Sequence, residues 1–345
     1  MSEGYRVAVV GATGAVGTVM LAKLRERGFP AHEIVPFASA RSAGRELEGF
    51  GTVQPLSHET IQGFDLAIFS AGATTSGEWA PRFVDAGCVV VDNSSRFRRE
   101  EDIPLVVSEV NPDALERHQG LIANPNCSTM QLMVVLKPIL DAVGIERLIV
   151  STYQSVSGTG VKAVEELEAQ THAVLHGMKP PPPSVYAHPI AFNVLGAAGN
   201  FNDGDDYTDE ERKMMHETRK ILEAPDIGIS VTCARVPVIA AHSESVNLQT
   251  REPIEPDATR DLLRGAPGLE VVDDPASNAY PTALAGAGRD EVLVGRIRRD
   301  PSHPRALNLW VVGDNLLKGA ATNAVQIAEA LHERGLVRVP ARQAA

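Results

Sequence analysis

Short apolar runs alternate with helical periodicities through the first third of the chain. Residues 5–10 read as a buried strand, the glycine-rich stretch 11–17 follows at once, and 18–27 reads as an amphipathic helix closed by Gly28. Residues 33–37, 65–70 and 89–92 predict further strands of a parallel sheet with small residues at their carboxyl ends. Beyond Pro125, Met130, Val134 and the run 136–140 recur at helical spacing, so a helix begins near Cys127. From Arg147 the pattern changes. Residues 147–154, 229–236, 246–251, 291–299 and 306–312 are longer and alternating, which predicts a second, mixed or antiparallel sheet. Helices are expected over 161–175, from the capping box Thr208 and Glu211 to about 222, and over 319–333. The prolines 180–183 and the acidic stretch 200–206 read as a surface excursion.

A chain of 345 residues can bury two substantial cores, so two domains are expected, with the division near residue 128. A net charge of −12 makes nucleic acid or an anionic membrane an unsuitable partner and points to a small-molecule ligand. No apolar run reaches the eighteen or so residues of a membrane helix, and strand 5–10 leaves no room for a signal peptide. Three widely spaced cysteines, Cys88, Cys127 and Cys233, form no disulfide framework and no zinc spacing, so a reducing cytoplasm and no metal are expected.

Chemistry concentrates at a few places. Strand, glycine turn and helix in that order predict a dinucleotide-binding unit, with Gly11, Thr13, Gly14, Ala15 and Val16 around the pyrophosphate. The end of the second strand offers Ser39, Arg41 and Ser42 where an NAD site would carry a carboxylate. That favours the 2′-phosphate of NADP, with an exposed loop arginine as the alternative. Arg96, Arg98 and Arg99 follow the strand at 89–92; most such clusters are solvated, and one member could reach an anion. Cys127 at a helix N-terminus has backbone donors and a helix dipole to stabilise a thiolate, lowering its pKa below the free value of about 8.5. Glu210 and Lys213 lie on one helix face, and Arg235 and His242 bracket an apolar run.

Ordered along the chain, GATGAVG at 11–17, SARSAG at 39–44, DNSSRFR at 92–98, NPNCST at 124–129, TYQSVSGTG at 152–160, EERKMMHETRKIL at 210–222, RVPVIAAHS at 235–243 and GDNLLKGAATNAVQ at 313–326 resemble the aspartate-β-semialdehyde dehydrogenase family. The resemblance implies an α/β fold: a Rossmann-type domain over 1–128, completed by a C-terminal helix within about 315–345, and an α+β substrate and dimerisation domain over 129–314 of the glyceraldehyde-phosphate dehydrogenase type. It implies a homodimer in the lysine, threonine and methionine pathway, including diaminopimelate. It gives Cys127 the role of nucleophile on an acyl phosphate, His242 that of acid/base and Gln154 that of orienting substrate. Arg235 would grip the α-carboxylate, Glu210 the α-ammonium, and Arg98 with Lys213 the phosphate. Ser157, Gly158 and Asn315 match positions near the nicotinamide of NADP. Two alternatives stay open: a reductase of N-acetyl-γ-glutamyl phosphate, which has no ammonium to pair with Glu210, and an NADP(H)-binding redox sensor without catalysis.

Overall fold

Tyr5–Val10 (β1) enters the glycine turn, and Ala15–Glu26 (α1) leaves it, three residues earlier than the apolar spacing predicts. A computed structural model describes residues 4–339 of the chain and divides them into two compact units. One comprises the described residues up to Asn126 together with those from Ala320; the other is Cys127–Gly319. The expected C-terminal segment runs past residue 339, and that part lies outside the described residues.

In the first unit, β1 is followed by Ala31–Ala38 (β2), Glu46–Leu47 (β3), Gly51–Thr52 (β4), Gln54–Pro55 (β5), Leu66–Phe69 (β6), Val89–Asp92 (β7) and Leu121–Ala123 (β8), with Ala73–Asp85 (α2) between β6 and β7. β3 and β4 form a small hairpin that the sequence pattern did not announce. The main sheet runs β5-β2-β1-β6-β7-β8, every pair parallel. Chain order reverses between β1 and β6, the place where doubly wound sheets open a ligand crevice. Four-residue runs such as Val7–Val10, Leu66–Phe69 and Val89–Asp92 are buried throughout, as strands covered on both faces must be. The helix Thr322–Glu333 packs in this unit through Ala324, Val325, Ile327, Ala328 and Leu331, and Glu329 receives a two-pronged bond from Arg27 at 2.9 and 2.8 Å. A π-turn, Leu317–Ala321, precedes that helix where the spacing predicted continuous α-helix from residue 319.

The second unit begins with Cys127–Val143 (α3), buried through Ser128–Leu136, and continues into Ile145–Gln154 (β9) and Val161–Leu175 (α4). Asp209–Ile221 (α5), Gly228–Arg235 (β10), His242–Thr250 (β11), Pro256–Arg264 (α6), Leu269–Val271 (β12), Ala283–Gly286 (α7), Val292–Arg299 (β13) and Ala306–Gly313 (β14) complete it. Its sheet runs β10-β9-β11-β14-β13-β12, with parallel pairs only at the two ends. This is the mixed sheet expected from the alternating pattern. The structure corrects one boundary that bears on function. β11 starts at His242, four residues before the apolar alternation becomes visible, so His242 is a strand residue.

Candidate active site

Three neighbouring strands carry a buried, mostly apolar row on one face, and each row ends in a polar residue. Leu148, Val150 and Thr152 lead to Gln154; Val231 and Cys233 lead to Arg235; Leu248, Val246 and Glu244 lead to His242. β9 and β10 are parallel and pair Gln154 with Arg235, while β11 runs the other way and begins at His242. All three side chains therefore emerge at one end of one face, and all are buried.

α3 lies against the same strands. One turn after Cys127, the Gln131 amide donates to the His242 carbonyl at 3.4 Å. At the far side of the cysteine, a methyl group on Gly319 would come within 2.9 Å of Cys127 Cβ, so only glycine leaves this side chain its place. Of the three cysteines, Cys127 alone is partly exposed. Burial pushes the thiols of Cys88 and Cys233 up and leaves them poor nucleophiles.

His242 sits behind Ala241, a non-glycine residue at φ 67°, a left-handed conformation that costs on the order of 1 kcal/mol. Asn315 holds that bend, its Oδ1 accepting the Ala241 amide at 3.1 Å. The same oxygen accepts the Ser155 hydroxyl at 3.0 Å, and Asn315 Nδ2 donates to Ser157 Oγ at 2.9 Å. A methyl group on Gly158 would meet His242 Cε1 at 3.1 Å, Nε2 at 3.2 Å and Arg235 Nη1 at 3.3 Å. The turn at 155–158 thus forms a wall of the site. Burial first, and the Arg235 charge second, hold the His242 imidazole well below the usual histidine range.

Arg235 donates to the Ser155 carbonyl at 2.7 Å, while its buried Nε has no hydrogen-bond partner among the described residues. On α5, Glu210 accepts from Gln154 Nε2 at 3.4 Å and pairs with Lys213 at 3.4 Å. Lys213 has a nearer carboxylate, Asp209 at 2.7 Å, which the sequence reading did not single out. Glu211 is occupied as expected: it closes the capping box with Thr208 and also accepts the Cys233 amide at 2.9 Å.

The remaining expected residues belong to the first unit. Among the three arginines, Arg96 pairs with Glu100 at 3.0 Å at the surface, whereas Arg98 is buried and donates to the carbonyls of Asn124 and Asn93, each at 2.9 Å. In the glycine turn, a methyl group on Gly11 would lie 2.4 Å from the Ser70 carbonyl, and one on Gly17 2.1 Å from the Gly11 carbonyl. The backbone is as close as it can be at the point where chain order reverses. No side chain caps the N-terminus of α1, whose first turn starts at Gly14, Ala15 and Val16. Thr13 lies in the turn itself. These residues fit a pyrophosphate. Ser39, Arg41 and Ser42 form a turn after β2, closed by Ser42 N–H to Ser39 O at 2.8 Å, with Arg41 exposed and no carboxylate in 38–44.

Two residues escaped the sequence reading. Ser155, inside a motif already noted, contacts His242 directly. Glu244 is wholly buried two residues beyond His242, on the same inward face, and neither carboxyl oxygen has a partner in bonding geometry among the described residues. Burial pushes this carboxyl well above the usual range, with the Gln131 amide only partly offsetting it, so the fold favours its protonated form. A signal existed, since strand alternation puts residue 244 on the His242 side.

A raised folded pKa gives stability that is fully present below the unfolded value of 4.5 and is lost as pH climbs towards the folded value, by at most about 1.4 kcal/mol per unit. Glu244→Gln keeps the shape without the ionisation. It is expected to raise the urea midpoint at pH 8 by the equivalent of at least about 1 kcal/mol, with the gain vanishing towards pH 5. Denaturation curves at the two pH values check it, and a gain independent of pH would show that Glu244 is not a buried neutral acid.

A dinucleotide unit joined to a unit with a cysteine, a histidine and paired ions of both signs defines a class. The chain belongs to the semialdehyde dehydrogenase family: residues 6–118 match the model of its NAD binding domain and 136–318 that of its dimerisation domain. Among its relatives is an aspartate-semialdehyde dehydrogenase of Aquifex aeolicus, 52% identical over 97% of this chain and 100% of the relative. A Legionella pneumophila enzyme of the same name is 52% identical over 98% and 99%. The crystal structure of aspartate semialdehyde dehydrogenase II from Vibrio cholerae, also solved complexed with ASA, superposes with TM-score 0.91 at 47% identity over 96% of this chain and 99% of that one. The Candida albicans enzyme with NADP gives TM-score 0.73 at 26% identity over 96% and 99%. Both expected domain types, and the α/β class, are borne out by these matches.

Proposed function

We propose that this chain is an aspartate-semialdehyde dehydrogenase that reduces L-4-aspartyl phosphate to L-aspartate-4-semialdehyde, reversibly, with NADP. The convergence of Gln154, Arg235 and His242 at one sheet end, beside the first turn of the helix that carries Cys127, is the observation that carries this reading. The substrate has a carboxylate, an ammonium and a phosphate, and the expected residues offer a matching ion for each. Arg235, with an unpartnered Nε at the site, can fork onto the carboxylate; Glu210, backed by Gln154, can take the ammonium. Arg98 and Lys213 serve the phosphate.

Cys127 attacks the acyl carbon as thiolate, the C–O bond to phosphate breaks, and a thioester forms. Amides of the first turn of α3 stabilise the oxyanion on the way. The dinucleotide, when bound, supplies hydride to the thioester carbon. His242 attends the oxygen of the resulting adduct, which collapses to aldehyde and returns the thiolate. Gly11, Thr13, Gly14, Ala15 and Val16 would hold the pyrophosphate, Ser157, Gly158 and Asn315 the nicotinamide end, and Ser39, Arg41 and Ser42 the 2′-phosphate.

Two features support a homodimer. The second unit matches a dimerisation domain, and the sheet face opposite α3 exposes Tyr153 against Trp310, ring centroids 5.3 Å apart, beside an open depression of about 530 Å³ bordered by Tyr280 and Arg298. No helix among the described residues is long and apolar enough to cross a membrane, and all three cysteines are free thiols, which suits a cytoplasmic enzyme.

The test is NADPH formation from L-aspartate-4-semialdehyde. Turnover is expected only with phosphate present, and with NADP preferred over NAD. Folded, NADP-binding protein without turnover would sink the reading, and activity on the acetylated glutamyl analogue instead would replace it.

A further inference from the structure

The stretch that follows α4, expected as a surface excursion, is laid along that helix and tied to it. Glu166, buried on α4, has one carboxyl oxygen that accepts the Ser184 amide at 2.6 Å, the Ser184 hydroxyl at 2.8 Å and the Val185 amide at 2.8 Å. Bonds to a carboxylate are roughly twice as strong as neutral ones. One turn on, the buried Gln170 accepts the Ile190 and Ala191 amides at 2.9 and 3.2 Å. Residues four apart share a helix face, so the two acceptors form one row. Val156, Ala163, Leu167 and Ile190 make a small apolar cluster of their own here, with Tyr186 packed against it.

The stretch ends on the edge of the second sheet. β10 is an outermost strand, and its last residue is Arg235. Leu195 covers that edge and exchanges both main-chain bonds with Arg235, amide to carbonyl at 2.9 and 2.8 Å. Ala198 continues the pairing, its amide donating to the Cys233 carbonyl at 2.8 Å. The Arg235 side chain is held as well. Its Nη1 donates to the Ser155 carbonyl at 2.7 Å, and its guanidinium carbon lies over the Tyr186 ring, 5.9 Å from the centroid. The Tyr186 hydroxyl is in turn fixed on Thr159 Oγ1 at 3.1 Å, which restrains the ring. Arg235 Nε is left without a hydrogen-bond partner among the described residues.

We propose that Tyr186 is a positioning residue for Arg235, and that Glu166 acts one step behind it by pinning the turn that carries Tyr186. The inference rests on the proposed reading of Arg235 as the carboxylate ligand. A guanidinium on a long, flexible stem loses rotamer freedom when it grips a ligand. Here that freedom is already lost before the substrate arrives. The Ser155 carbonyl takes one nitrogen and the Tyr186 ring bounds the group, with Nε left for the α-carboxylate. Tyr186 brings no charge of its own, so it orients the cation without weakening its attraction for an anion.

Steady-state kinetics and arginine labelling test it together. Tyr186→Ala is expected to raise KM for L-aspartate-4-semialdehyde about 3- to 30-fold, the range of a cation–π contact, and to change kcat far less. Tyr186→Phe keeps the ring and should stay close to wild type. Glu166→Ala should shift KM in the same direction by a smaller factor, and Glu166→Gln, which keeps an acceptor oxygen, should restore most of it. With 3-aminopropanal, which lacks the α-carboxylate, Tyr186→Ala and wild type should perform alike. An equal loss on both aldehydes, or a phenylalanine variant as impaired as the alanine one, would overturn the proposal. Phenylglyoxal, followed by peptide mass mapping, reads the hold on Arg235 without any turnover. Arg235 should be modified several-fold faster in Tyr186→Ala than in wild type, in protein that unfolds at the same temperature. Unchanged reactivity would overturn the proposal too. Absence of turnover in wild type, with Arg235 still unmasked by Tyr186→Ala, would instead refute the function and leave the positioning of Arg235 standing.

Discussion

Cys127→Ser is expected to lose at least about 10³-fold of phosphate-dependent turnover while still binding NADP and unfolding at the same temperature, since removing a nucleophile that acts as part of a unit costs most of the rate enhancement. A serine hydroxyl is almost wholly protonated at neutral pH, whereas a thiol can present the nucleophilic anion. Alkylation gives an independent reading. Cys88 and Cys233 are buried and their thiols pushed up, so iodoacetamide should modify one residue per chain, with activity falling in step. Substrate should protect it. Full turnover in the serine variant, or inactivation that tracks another cysteine, would remove Cys127 from the proposed mechanism.

Arg235→Leu is the second large effect. The guanidinium is buried, tied to the Ser155 carbonyl at 2.7 Å, and its Nε has no hydrogen-bond partner among the described residues. Losing a buried charge partner leaves the substrate carboxylate unpaired, a cost of about 2 to 5 kcal/mol, or roughly 30- to 5,000-fold in kcat/KM. Lysine should restore little, because one ammonium cannot reproduce a planar fork. The substitution also removes a positive neighbour that opposes protonation of His242. His242 should then take a proton at higher pH than in wild type, so the stability it loses on acidification, which sets in at the unfolded histidine pKa in both proteins, should be smaller in the variant. Steady-state kinetics with the whole substrate and with an analogue lacking the α-carboxylate separates the two consequences. An equal loss on both substrates would show that Arg235 does not read the carboxylate.

Much of the architecture could be read from the chain because periodicity and capping are local. α4 falls on Val161–Leu175 as its spacing indicates, and Thr208 with Glu211 caps α5. The start of β11 was hidden for a physical reason. Its inward positions His242 and Glu244 are polar, so alternation inverts where the core row becomes the site, and an apolar pattern reads only from Val246 onward. Ser155 was invisible for another: one of its two contacts with His242 is made by the main-chain amide, which every residue but proline has. Lys213 offered two acids at helical spacing, and only geometry shows Asp209 as its nearer partner. The arginine cluster was ambiguous until burial set Arg98 apart from Arg96.

α3 is enclosed along most of its length, and Gln154, Arg235 and His242 are the tips of core rows. Lys213, by contrast, lies at the margin, half-buried on a helix, α5, whose outer side is strongly polar. Substitutions on that outer side can therefore be accepted one at a time, while a change on α3 disturbs a core. Divergence among such enzymes should accordingly be uneven: the margin around Lys213 can drift, whereas the thioester step is inherited with the core.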